Sequence, residues 1–155
     1  HAGHPAPRAA RRGAVRPPAA PRTRRVGHAR AWVDGEPLSL SLLCRDGSAE
    51  LLSINRQRIA IADDGQLSDE GVTINALALD DARAPALART AQAVARAVPG
   101  LRGFVGIDLV WHPQRGPVVI EVNPRLTCAF VGLSAALGRP LAAEILALHE
   151  EPVDA

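Results

Sequence analysis

A chain of 155 residues with 47% hydrophobic content allows one domain with a real core, and its apolar runs fall far short of the ~20 residues that span a bilayer. The formal charge of +2 conceals two opposed parts: residues 1–30 hold 8 of the 18 basic residues and no acid, whereas from Ala31 onward 10 arginines stand against 16 acids, a net of −6. The basic character therefore belongs to one end of the chain, and no signal-peptide pattern marks a leader, so the expected setting is the cytoplasm with no membrane contact.

Residues 1–27 contain seven arginines and five prolines but almost no large apolar side chain, so they bury too little surface to order themselves. The expected organisation is a disordered Arg/Pro-rich arm over residues 1–29, a folded part over 30–150 and a frayed tail over 151–155. Two origins of the arm stand open. It could bind nucleic acid or an anionic surface, against which stands the lack of any aromatic residue before Trp32 to stack on a base. It could also be an out-of-frame stretch, since GC-rich DNA encodes Ala, Arg, Pro and Gly. His1 and His4 have no partner ligands at metal spacing. All 18 basic residues are arginine, methionine is absent and the chain starts at His1, so a segment from inside a longer protein is expected.

From Trp32 the pattern becomes that of an antiparallel sheet. Asp34-Gly35 signals a turn, and residues 37–44 alternate, with Leu38, Leu40 and Leu42 on one side and Ser39 and Ser41 on the other. Arg45-Asp46-Gly47-Ser48 closes a hairpin onto a strand over 49–55. A further strand over 58–62 meets the Asp63-Asp64-Gly65 turn, and 67–77 is a weaker extended segment. Between those strands the polar triplet Asn55-Arg56-Gln57 is either an exposed corner or the lining of a site; Arg56 carries a planar fork suited to phosphate or carboxylate.

Residues 80–98 predict a helix, with Asp80-Asp81 as cap, Pro85 in the first turns and Pro99-Gly100 as the stop. Its inward stripe is Leu87, Ala91, Val94, Ala95 and Val98. Residues 134–137 and 140–149 also read as helical, broken by Gly138-Arg139-Pro140. Cys44 and Cys128 lack metal or redox spacing and read as free thiols. The fold class expected is α+β, an antiparallel sheet with flanking helices.

The stretch with chemical content is residues 103–125, G-F-V-G-I-D-L-V-W-H-P-Q-R-G-P-V-V-I-E-V-N-P-R. Two β-branched runs flank a turn-forming segment, which predicts a hairpin. If Trp111 pairs with Val118, Asp108 lies directly across from Glu121. Strand period two turns Asn123 the same way as Glu121 and sends Ile107, Leu109, Ile120 and Val122 to the other face. Opposed carboxylates repel unless a cation stands between them, and two carboxylates with an amide oxygen suit Mg²⁺ or Mn²⁺. The plainer reading is a solvated hairpin edge. Against it stand Pro124, which ends the strand just past the cluster, and Arg125, whose guanidinium suits phosphate oxygens.

An Asp on one strand followed by E-x-N-P-R on the next resembles the carboxy-terminal half of the ATP-grasp superfamily of carboxylate-amine ligases. The resemblance runs from about Arg30 to Leu148, through W-V-D-G-E-P-L-S-L-S-L-L-C and L-L-S-I-N-R-Q to the hairpin and P-R-L-T-C-A-F-V-G-L. That last string is most similar to small ligases of the tyramine-glutamate kind, associated with methanofuran-type cofactor synthesis. The resemblance implies the carboxy-terminal part of an ATP-grasp fold, ATP and Mg²⁺ (or Mn²⁺) as cofactors, and a ligase joining a carboxylate to an amine through an acyl phosphate. By it, Asp108, Glu121 and Asn123 would hold the metal, Arg125 would steady the transferred phosphoryl group, and Glu36 would be a nucleotide-side residue; Arg56 joins the cofactor-binding residues on the chemistry of its fork. The loop with Thr127 and Cys128 would border the acyl-acceptor site. Lysines near the nucleotide phosphates come from the amino-terminal half in that family and are absent here. The expected partners are thus small carboxylate and amine substrates together with a missing amino-terminal ATP-grasp portion, and the 155 residues alone are expected to be inactive or nearly so. The alternatives are an inactive fragment or a binding module that acts through the arm.

Overall fold

The structure is a computed structural model that describes residues 32–150. The arm over residues 1–29, His1, His4 and the 151–155 tail lie outside the described residues. Five strands form one antiparallel sheet: β1 Glu36–Arg45, β2 Ser48–Ile61, β3 Leu67–Leu77, β4 Gly103–His112 and β5 Gly116–Asn123. Their spatial order is β3-β2-β1-β4-β5, so β1 is central between β2 and β4, and the helix-bearing connection after β3 carries the chain across the sheet. Helices α1 Ala84–Ala97, α2 Leu133–Leu137 and α3 Leu141–Glu150 complete the α+β architecture, with a 3₁₀ turn at Cys128–Phe130. No helix among the described residues is long and apolar enough to cross a membrane.

Leucine alternation in β1 decides the packing. Leu38, Leu40 and Leu42 are buried against Ile54, Ile107 and Leu109 from neighbouring strands and against Leu87, Ala91 and Ala95 of α1. Each such leucine contributes about 1.5 to 3 kcal/mol on burial, and the alanines of α1 let its axis approach the sheet closely. The expected stripe holds at Leu87, Ala91 and Ala95; Val94 is partly buried and Val98, past the helix end, is 40% exposed.

The opposite face is more than an oxygen face. At one end Leu52, Phe104, Leu133 and Leu141 form a second core beneath α2 and α3. At the other end it is polar, yet Ser39, Ser41, Ser53, Asn55 and Asn123 there are all buried.

Two expected boundaries shift, each for an identifiable reason. The polar triplet Asn55-Arg56-Gln57 does not interrupt a strand, because β2 runs unbroken from Ser48 to Ile61. Asn55 donates to Ser41 Oγ at 3.1 Å and accepts the backbone N–H of Asn75 at 3.2 Å, so a buried amide has partners on both neighbouring strands. The first long helix starts at Ala84, four residues later than expected, and no side chain caps it. Asp81 instead accepts the backbone N–H of Arg83 at 2.8 Å and its guanidinium at 3.0 Å. Those hydrogen bonds hold the Asp81 carboxyl below its ordinary range.

Candidate functional site

The β4–β5 hairpin builds the site, and its register is less direct than the residue pattern predicts. His112 pairs with Gly116, leaving a three-residue loop in which the His112 Nδ1 accepts the N–H of Gln114 at 3.1 Å and of Arg115 at 3.2 Å. Trp111 therefore faces Pro117 and not Val118, one residue short of the expected pairing. Carried along unchanged, that register would set Asp108 against Ile120 and turn Glu121 toward the core. A β-bulge prevents this: Leu109 pairs with Val119, Ile120 is the extra residue, and Asp108 pairs with Glu121. Beyond the bulge Ile107 faces Val122 and Gly106 faces Asn123. The expected juxtaposition of the carboxylates is thus present, produced by the bulge and not by the turn.

Around Asp108 the hydrogen bonds come from neutral amides. Gln57 Nε2 donates to one carboxylate oxygen at 2.8 Å and Asn123 Nδ2 to the other at 3.0 Å. Gln57 reaches Asp108 from β2 across β1, where the small Ser39 is the register partner of Asp108 and leaves room for it. Asn123 is only 6% exposed, and its side-chain oxygen accepts from Arg125 at 3.2 Å. The backbone N–H of Arg125 returns to the Asn123 carbonyl at 2.8 Å, a tight bend across Pro124. Glu121 stands exposed on the outer strand. Burial, and after it the nearby Glu121 charge, push the Asp108 carboxyl above its ordinary range; the Asn123 and Gln57 hydrogen bonds and the Arg125 charge offset this only in part.

A cavity of about 150 Å³ opens over these groups, walled on the far side by Asp69 and Val72 of β3 and on the near side by Arg125, Thr127, Cys128 and Ala129. Among the described residues no three His, Cys, Asp or Glu side chains stand at metal-holding spacing, so the donor set is two carboxylates and one amide. Oxygen donors with an excess of negative charge suit a hard divalent ion. Asn123 presents its NH₂ group to Asp108 and its oxygen to Arg125, so a half-turn of that amide is needed for its oxygen to join the two carboxylates.

Of the residues singled out from sequence, Asp108, Asn123 and Arg125 are joined by hydrogen bonds and Glu121 lies directly across from Asp108. Glu36 and Arg56 are not brought to this site. Leu38 pairs with Arg56, whereas Ser39 pairs with both Asn55 and Asp108, so strand alternation puts Arg56 and Glu36 on the α1 face and the carboxylate pair on the other. There Glu36 accepts from Arg56 Nε at 2.7 Å and Arg83 NH1 at 2.6 Å, and the Arg83 guanidinium lies 5.8 Å from the centre of the Trp111 ring. Burial would raise the Glu36 carboxyl, but the two arginines outweigh it and hold it below its ordinary range.

Gln57 is the residue that reading the sequence missed as a partner of Asp108. Its signal was the choice between corner and lining left open for the Asn55-Arg56-Gln57 triplet, which the structure resolves as lining at Gln57. Cys44 and Cys128 are both free thiols.

Comparison with known proteins places these features in a wider group. Residues 17–129 match the family model of the ATP-grasp domain. An ATP-grasp superfamily protein from Archaeoglobus fulgidus is 31% identical, with a TM-score of 0.57 over 75% of this chain and 36% of that one. An L-amino acid ligase from Bacillus licheniformis shares the fold at 19% identity, TM-score 0.59, over 79% of this chain and 31% of that one. So does a D-alanine–D-alanine ligase from Bacillus anthracis, at 18% identity and TM-score 0.52, over 76% and 40% of the two chains. The chain spans between 31% and 40% of the length of these solved structures. No curated protein matches it.

Proposed function

The chain belongs to the ATP-grasp family, and from that premise we propose that the Asp108–Glu121–Asn123 face is the metal and phosphate end of an ATP-dependent ligase joining a carboxylate to an amine. The observation that carries this reading is the half-buried Asp108 set opposite Glu121, both of its oxygens held only by neutral amide N–H groups. Like charges on neighbouring strands are destabilising unless a cation joins them.

Asp108, Glu121 and, after its amide turns, Asn123 would hold Mg²⁺ or Mn²⁺, which when bound neutralises phosphate charge. The chain's own residues do the positioning. Gln57 holds the Asp108 carboxylate in one orientation, and the Leu126 carbonyl, bonded at 3.2 Å, orders the Arg125 guanidinium. From there Arg125 can steady the phosphoryl oxygens as they pass from ATP to the substrate carboxylate. The resulting acyl phosphate is open to attack by the amine nitrogen, with phosphate as the leaving group. Electrostatics and placement account for these roles, and no covalent nucleophile is assigned.

At about 150 Å³ the cavity is smaller than the roughly 300 Å³ at which drug-sized ligand pockets begin, so it suits phosphates and a reacting carboxyl and not a whole nucleotide. The narrower reading, a ligase of the tyramine-glutamate kind, is supported by the resemblance of P-R-L-T-C-A-F-V-G-L alone. The cytoplasm is the setting we assign, because the reaction consumes Mg-ATP.

Calorimetric titration of ADP into the full chain, with and without Mg²⁺, tests the site. Wild-type protein should show Mg²⁺-dependent affinity, and Asp108→Asn should weaken it by at least about tenfold. A wild-type chain whose nucleotide affinity ignores Mg²⁺ would overturn the reading.

A further inference from the structure

Alternate residues of β4 share the face that carries the carboxylate: Phe104, Gly106 and Asp108. Phe104 meets Phe130 edge-on, with ring centroids 5.3 Å apart and planes at 80°. Gly106 is buried and does not have the left-handed backbone that favours glycine at Gly103, three residues earlier. Space is the reason for it. A Cβ at position 106 would stand 2.6 Å from Cγ2 of Thr127, closer than atoms of this kind approach.

Thr127 therefore rests directly on the β4 backbone, at the residue whose register partner is Asn123 and two positions from Asp108. The segment that follows Asn123 is tied at its start by the two Arg125 bonds to Asn123. It is tied at its end by Phe130, whose N–H bonds the Thr127 carbonyl at 2.9 Å. Between those ties, Thr127 on Gly106 is a sheet contact that an added methyl group would remove.

We propose that Gly106 and Thr127 form a steric lock that sets how close the wall from Arg125 to Ala129 stands to Asp108, which makes both of them positioning residues for the phosphate end of the site. What the wall binds rests on the ligase reading above; the lock itself rests on packing. An added methyl group must push Thr127 outward by about 1 Å to reach ordinary contact distance, and a displacement of that size at a reacting site is enough to cost a large factor in binding or rate.

Four versions of the full chain test it: wild type, Gly106→Ala, Thr127→Ser, and the two together, since serine keeps the hydroxyl but lacks Cγ2. The readouts are amide hydrogen exchange over residues 125–131, Mg²⁺-dependent ADP affinity and urea stability. Gly106→Ala should speed exchange in that segment and weaken Mg-ADP binding, each by about tenfold, and Thr127→Ser, which lacks the contacting methyl, should loosen the same segment by a smaller factor of about threefold. The double variant should return both to within about threefold of wild type, because the two substitutions act on one contact.

An unchanged Gly106→Ala, or a double variant as impaired as the single one, would sink the lock. If Gly106→Ala does not fold, recovery of the fold by adding Thr127→Ser supports the lock and failure to recover it counts against it. Should wild type bind no Mg-ADP at all, the ligase reading fails by itself, and exchange with its rescue still decides the lock.

Discussion

Asp108 carries an unusual burden for a strand residue: it is half-buried, faces a second carboxylate, and is stabilised by the amides of Gln57 and Asn123. Its raised pKa has a direct sign. Below the ordinary aspartate range the carboxyl is neutral and the site is free of repulsion. As pH rises through the folded-state value the ionised group subtracts from the stability of the metal-free chain. Gln57 matters because it holds one of the two oxygens in place. Gln57→Leu should weaken Mn²⁺ binding, followed by electron paramagnetic resonance, by about tenfold while leaving the melting temperature nearly unchanged. An equal loss of binding and stability would mean Gln57 serves the sheet and not the site. Asp108, Glu121, Asn123 and Arg125 could be named from the sequence because Asp and E-x-N-P-R mark them. Gln57 could not be so named, because its contact spans 51 residues and depends on β1 placing a serine between the two strands.

Among the elements, the β4–β5 ribbon shows how a local irregularity decides chemistry. Its loop is one residue shorter in register than Trp111 opposite Val118 would require, and the bulge at Ile120 restores the alignment before Asp108 is reached. The start of α1 is tied to β1 and β2 by another device, Glu36 held between Arg56 and Arg83. Because its folded-state pKa lies below the ordinary value, Glu36 adds stability at neutral pH that is lost as pH falls through that lowered value. Glu36→Gln should therefore destabilise the chain at pH 7 by roughly 1 kcal/mol, allowing for the solvent around half-exposed Arg56. The difference should close only in acid, once pH has fallen through that lowered value and the wild-type carboxyl is also neutral. Urea titrations at neutral and acid pH would show it, and a gap that persists in acid would mean that packing, and not charge, is what the substitution removed.

At the level of the whole molecule, one sheet serves two cores. α1 closes over the leucine face, while the 3₁₀ turn, α2 and α3 close over the apolar end of the other, leaving the site at its polar end. Since β1 and β4 contribute to both layers, damage to one should be felt in the other. Leu87→Ala, which empties a fully buried position on α1, should lower stability by about 3 kcal/mol in urea. Trp111 fluorescence and amide exchange at Phe104 should lose their native signal in the same transition; two separate transitions would show the cores to be independent.

Side-chain alternation is a property of a single strand, which is why Leu38, Leu40 and Leu42 identified a core face, and why Glu121 and Asn123 could be assigned a shared direction without coordinates. The α+β class and the motif that resembles the ATP-grasp ligases were legible for the same local reason. Pairing between strands is not local. It depends on loop length, bulges and what packs on each face, so the tertiary structure alone decided that Ile120 is the extra residue, that Glu36 and Arg56 belong to the α1 side, and that Gln57 and Thr127 meet Asp108 and Gly106 across the sheet.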